Sequence, residues 1–332
     1  MNIARGHLDA LEALGYTEAE ARFLYLAATH SGYFLARQFL AFQRVHWGKR
    51  TTVFWSKLAR NKHARIERFP KSGTIYHLYS RRLYRHIEKQ NLRNRRVHEL
   101  DFIKRRIAIL DFVIAHPQYE YLETESQKVA YFRDHLAIDP RYLPVRLYLG
   151  RNAARSSVRY FVDNFPMFFD FPSPVVTFTY LPDGTDGFSA FVRHLEAYLP
   201  LFRQLSEFRM LYVSRGDSYF ARATEIFDSL VRIPLESDIA EDLLRYFRVR
   251  KLWDEKHYAE VSDAELIFRN QARARFKGEI FDGWYREWRM GLVSAESIRE
   301  RLAANDRRHS VAFHTLMLCP LPVPGEQLRG GE

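Results

Sequence analysis

The chain has 332 residues, 47% of them apolar and 15% aromatic, which is enough for packed cores and excludes a disordered chain. Its net charge is +11, and its one cysteine, Cys319, excludes a disulfide framework or a multi-cysteine zinc site within the chain. Apolar runs stay short of the roughly 18 residues a membrane helix needs, and Met1-Asn2-Ile3-Ala4-Arg5 opens no signal-type stretch, so we expect a cytoplasmic protein with no membrane partner.

The charge is concentrated. The first 116 residues hold 22 Lys and Arg against 9 Asp and Glu, a net of +13, which leaves −2 for the remainder. A basic segment joined to a near-neutral one suggests a nucleic-acid-binding module on a separate body.

In chain order, Thr17-Glu18-Ala19-Glu20 reads as a capping box opening a helix along Ala21, Leu24, Tyr25 and Ala28, which Ser31-Gly32 breaks. A second helix is expected through Phe34, Leu35, Phe39 and Leu40, then a turn at His46-Trp47-Gly48. The third helix spans Lys49 to Arg60, with Phe54, Trp55 and Leu58 on its apolar side. Lys49, Arg50, Thr52, Ser56, Lys57 and Arg60 lie on its other side. Strands at Ala64 to Phe69 and Thr74 to Leu78 flank the turn Pro70-Lys71-Ser72-Gly73, a hairpin signature.

A short basic helix is expected at Arg81 to Glu88, followed by one long helix from Asn91 to Ala115. The seam Leu100, Ile103, Ile107, Leu110 and Ile114 is either a homodimer contact or a helix packed on its own chain. His116-Pro117 ends it and marks an expected domain boundary.

The second part reads as mixed α/β. Helical pattern covers Ser126 to Leu136, and strand pattern covers Val145 to Leu149. Val175 to Tyr180 is the strongest strand signal, and Leu181-Pro182-Asp183-Gly184 turns the chain after it. Helix Phe188 to Leu205, strand Arg209 to Val213 and helix Tyr219 to Val231 follow, which suggests a small sheet covered by helices. Ile239 to Ala304 is helical with Trp253, Trp284 and Trp288, and Pro320 to Glu332 reads as a loose tail. The fold class expected is α+β and mostly helical: a DNA-binding domain over 1–90, a connecting or dimerisation helix over 91–116, an α/β domain over 117–235, a helical region over 236–319 and a tail over 320–332.

Catalytic motifs are absent. There is no GxxxxGK[ST], GxGxxG, GxSxG or HExxH, so no catalytic residue, metal ligand or cofactor is assigned. Ser310, His314 and Cys319 lie close in sequence but in no recognisable motif. His63, His77, His86 and His98 are expected at solvent or phosphate. One enzymatic alternative is a metal-dependent DNA nuclease with a divergent restriction-endonuclease-like second domain, using acids among Asp163, Asp170, Asp183 and Asp186. Against it, the best strand carries no charge and Arg209 to Val213 carries no acid.

The order of three helices and a hairpin resembles the winged helix-turn-helix family. That resemblance implies a third helix in the major groove of duplex DNA and a wing on phosphates. The groove residues would be Lys49, Arg50, Thr52, Lys57 and Arg60, and the wing residues Arg65, Arg68, Lys71 and Ser72. Three further segments are similar to replication-relaxation-like proteins of bacterial plasmids and integrated mobile elements. They are Leu14-Gly15-Tyr16-Thr17-Glu18-Ala19-Glu20-Ala21, Ser157-Val158-Arg159-Tyr160-Phe161-Val162-Asp163-Asn164-Phe165-Pro166 and Val175 to Tyr180. This implies a DNA-binding protein that maintains or regulates such an element. The leading expectation is a non-enzymatic duplex-DNA binder whose second domain binds another copy, a partner protein or a second DNA segment. An adaptor that binds RNA or a protein is the remaining alternative.

Overall fold

Thr17 heads a helix as its sequence requires. In the computed structural model its side chain accepts from the Glu20 amide while the Glu20 carboxylate accepts from the Thr17 amide. The structure describes residues 3–69, 73–148, 157–170, 172–182, 187–236, 239–303, 309–319 and 321. It is a mixed α+β fold in which helix predominates.

Helix α1 (Arg5–Glu12), absent from the sequence reading, buries Leu8 and Leu11. Helix α2 (Glu18–Leu26) continues into a buried π-helical turn, Ala27–Ser31. Gly32 follows at φ +83°, a left-handed conformation that suits glycine. A Cβ there would also lie 2.1 Å from the Asn94 carbonyl oxygen, so the close approach itself demands glycine.

The second helix starts later than expected. Tyr33–Leu35 is strand β1, and α3 covers Ala36–Gln43. Helix α4 spans Lys49–Arg60, as its periodicity predicts. Strands β2 (Ala64–Phe69) and β3 (Gly73–Leu78) pair antiparallel, and β1 adds to the far side of β3, giving the order β1-β3-β2. Helix α5 is Arg81–His86.

The long helix expected from Asn91 is helix α6, Leu100–Ala115, only. Distant partners hold the residues before it in other conformations. The Asn94 side-chain Nδ2 donates to the carbonyls of Ala28 and Thr29, and the Tyr33 hydroxyl donates to the Arg96 carbonyl. The seam is filled from within the chain, since Ile103 and Ile107 cluster with Tyr33 and Ile75. Asp111 on α6 takes a bidentate bond from Arg37 and another from Gln38, fastening α3. Arg106 is fully buried and donates to Ser31 O, Asn164 O and Asn94 Oδ1. Burial pushes its pKa down to about 10.

Beyond His116 come β4 (Glu120–Tyr121), α7 (Glu125–Ala130), β5 (Val145–Tyr148), β6 (Ser157–Tyr160), β7 (Met167–Phe169), β8 (Val176–Tyr180), α8 (Phe188–Phe202), β9 (Glu207–Ser214) and α9 (Phe220–Phe227). Four helices and a strand follow α10 (Ile233–Glu236): α11 (Ile239–Asp254), α12 (Asp263–Arg275), α13 (Glu279–Arg289), α14 (Ala295–Ala303) and β10 (Ser310–Met317). The main sheet runs β10-β9-β8-β7-β4, with β8 parallel to β9 and antiparallel to β7. Its centre is β8, buried along its whole length, which is why that stretch is so apolar. Phe191, Tyr198 and Phe202 of α8 pack rings against Tyr180, Phe178 and Phe208.

The chain divides into two compact units, Met1–Thr224 with Ala312–Glu332, and Glu225–Val311. Position 117 is not where they part. The Lys89 ammonium pairs with the Glu123 carboxylate, Tyr25 donates to it at 2.6 Å, and Arg106 reaches Asn164, so bonds cross that position repeatedly. The second unit is helical, around Leu243, Phe247, Phe276, Tyr285 and Ile298. Of the expected tail, Leu321 is described; Pro320 and 322–332 lie outside the described residues.

Candidate nucleic-acid interface

Helix α4 carries no acidic residue. Its first turn closes through Thr51, whose hydroxyl accepts from the Gly48 amide and donates to the Gly48 carbonyl. Phe54 and Leu58 are buried, and Phe54 stacks on Phe39 at 3.9 Å. This turns Lys49, Thr52, Val53, Ser56, Lys57 and Arg60 outward as the lining of one open depression.

The proposed groove residues do not stand equally. Lys49 and Arg60 are exposed and make no ion pair among the described residues. Thr52 is exposed but donates its hydroxyl to the Gly48 carbonyl. Lys57 is engaged: its ammonium donates to Glu20 Oε2 at 2.7 Å, largely out of water. Arg50 lies on the same helix, but its side chain is outside the described residues.

The hairpin residues also divide. Opposed residues of an antiparallel pair share a face. Ile66 opposes Tyr76 and Arg68 opposes Thr74, while Arg65 opposes His77 and Glu67 opposes Ile75. Tyr76 stacks on Trp55 of α4 at 4.4 Å, so Ile66 and Arg68 stand on the α4 side. Ile75 packs with Ile103 and Ile107 of α6, so Arg65 is on the other side, where it bonds Glu67 at 2.8 Å. Lys71 and Ser72 lie outside the described residues.

Two exposed apolar side chains at this face were not among the expected site residues. Val53 lies between the polar positions of the α4 face, and Trp47, just before the helix, stacks on Trp55 at 5.9 Å. The signal for both was available: an apolar residue at polar helical phase, and a tryptophan in a turn.

The histidines expected at phosphate are partly core residues. His63 is buried and shares a 2.8 Å bond with the Tyr16 hydroxyl, and His77 stacks on Tyr33 at 4.2 Å. Burial pushes both down to about 4 and keeps them neutral. His86 Nδ1 faces the Arg82 carbonyl, and His98 stacks on Phe102.

Of the acids considered for a nuclease, Asp163 is tied to its neighbours in the fold. Asp163 contacts His194 Nδ1 at 2.6 Å and accepts from the Tyr198 hydroxyl at 3.1 Å. Burial opposes its charge, yet His194, Lys128 and Tyr198 hold the carboxyl below its usual range. Asp183 and Asp186 lie outside the described residues. Among the described residues no three His, Cys, Asp or Glu gather as metal ligands, and no helix is long and apolar enough to cross a membrane. Ser310 and His314 sit four residues apart on strand β10, about 13 Å along it, too far for a nucleophile and its base.

Comparison with protein-family models, curated proteins and solved structures found no match.

Proposed function

We propose that this chain is a non-enzymatic duplex-DNA-binding protein. Its N-terminal elements would form a winged helix, with α4 as recognition helix and β2–β3 as wing. The observation that carries this reading is the order α2, β1, α3, α4, β2, β3 with a β1-β3-β2 sheet, joined to an acid-free α4 that turns Lys49 and Arg60 outward. A helix fits the roughly 12 Å major groove, and unpaired cations at its rim release counterions from phosphates. Arg68 would contact backbone from the wing, on the side that α4 shares. Action in the cytoplasm, in maintenance or regulation of a plasmid or mobile element, rests on the sequence resemblance alone.

The test is binding of the full chain to a labelled random duplex across a salt series, beside a Lys49→Ala/Arg60→Ala variant. Affinity should fall steeply with salt, and the double variant should flatten the slope by about 2. Absence of binding, or an unchanged slope, overturns the reading. Preference for structured RNA over duplex would favour the adaptor instead.

A further inference from the structure

Strands β5 and β6 stand apart from the main sheet as a two-stranded antiparallel arm. Its base is anchored. The Phe161 amide donates to the Pro144 carbonyl at 2.9 Å, and Glu125 accepts from the Tyr160 amide and from Arg159. Beyond that base one face is open. Val145, Leu147 and Val158 share one face at 51%, 66% and 50% exposure. On the other face Arg146 directly opposes Arg159, and Tyr148 lies beneath Arg93 at 4.7 Å.

An isolated two-stranded ribbon is marginal in water, and this one leaves its apolar side chains uncovered. Its charge says what would cover it. Residues 140–162 include Arg141, Arg146, Arg151, Arg155 and Arg159 and no acid. Arg159 is paired with Glu125 at 3.2 Å, which leaves Arg146 exposed and without an ion pair among the described residues, a charge that a polyanion would meet. A two-stranded ribbon also fits a DNA groove, where cations meet phosphates and apolar side chains meet base edges.

We propose that the β5–β6 arm is a second duplex-DNA contact, with the Val145–Leu147–Val158 face turned to the floor of a groove and Arg146, on the ribbon's other face, reaching a phosphate at the groove rim. This rests on the reading of the chain as a duplex-DNA binder but uses a surface that shares no residue with α4.

The experiment compares Arg146→Ala, Arg146→Lys, Leu147→Ser and Lys49→Ala/Arg60→Ala in the full chain on one labelled random duplex. Salt series, thermal melting and sedimentation are recorded for each. All four variants change exposed positions only, and melting should be unchanged. Arg146→Ala should weaken binding about fivefold to tenfold at moderate salt and flatten the salt slope by about 1. Arg146→Lys should keep the slope, and Leu147→Ser should weaken binding with the slope unchanged. If the α4 variant weakens binding while Arg146→Ala and Leu147→Ser do not, the arm proposal is overturned and the DNA-binding reading stands. If only the arm variants weaken binding, the arm proposal stands and the role of α4 falls. A Leu147→Ser variant that converts a dimer to a monomer without affecting DNA makes the arm a self-association surface and overturns the proposal. A wild-type chain that binds no duplex overturns both.

Discussion

Lys57 donates a 2.7 Å hydrogen bond to Glu20, the carboxylate that also accepts the Thr17 amide at the head of α2. One acid thus caps α2 and holds α4 against it, which gives Lys57 a role in the fold rather than in the proposed DNA contact. Lys57→Ala should cost on the order of 2 kcal/mol, less than a fully buried pair because the two side chains keep 16% and 10% exposure. Chemical denaturation measures this, and a variant as stable as wild type would show the pair to be incidental. Lys49→Ala and Arg60→Ala should stay within about 0.5 kcal/mol of wild type.

Arg65 and Arg68 are three residues apart on opposite faces of the hairpin. Arg68→Ala should therefore lower duplex affinity and reduce the salt slope by about 1, while Arg65→Ala changes neither. Equal losses from both substitutions would contradict placement of the DNA on the α4 side.

Arg106 has no carboxylate partner among its hydrogen bonds. Three bonds tie the π-helical turn, the Asn94 segment and Asn164 to α6. Arg106→Met keeps the volume but leaves three acceptors without their donor, each worth about 1–3 kcal/mol when buried. The variant should lose at least about 3 kcal/mol in urea denaturation, and a loss under 1 would mean that the acceptors find other donors.

Stability should fall on acidification. Burial lowers His63 and His77 from an unfolded value of 6.5 to about 4, so between those values the unfolded chain binds more protons. Their contribution is complete above pH 6.5, is lost as pH falls through the window and levels off below about 4. Melting temperature against pH should show that slope, and His63→Gln should make it shallower. A flat profile from pH 7 to 4.5 would mean that these imidazoles are not held neutral.

Short-range patterns were legible. The Thr17–Glu20 cap, the limits of α4, the β2–β3 hairpin and strand β8 each depend on residues within one turn or one strand of each other. The same reasoning missed α1 and placed Phe34 and Leu35 in a helix, because β1 exists only through pairing with β3, 40 to 44 residues away.

The sequence by itself determined the basic N-terminal third, the acid-free α4 and the alternation that makes a hairpin, since composition and periodicity are local properties of the chain. Tertiary structure alone decided which cations are free. Lys57 meets an acid 37 residues away, Arg65 and Arg68 part because one sheet face packs on α4 and the other on α6, and Arg106 is taken inside by carbonyls from three segments. A charged side chain has the same propensity in water as in a buried pair. What differs is the partner that folding brings within about 3 Å, and that distance is set by the whole topology.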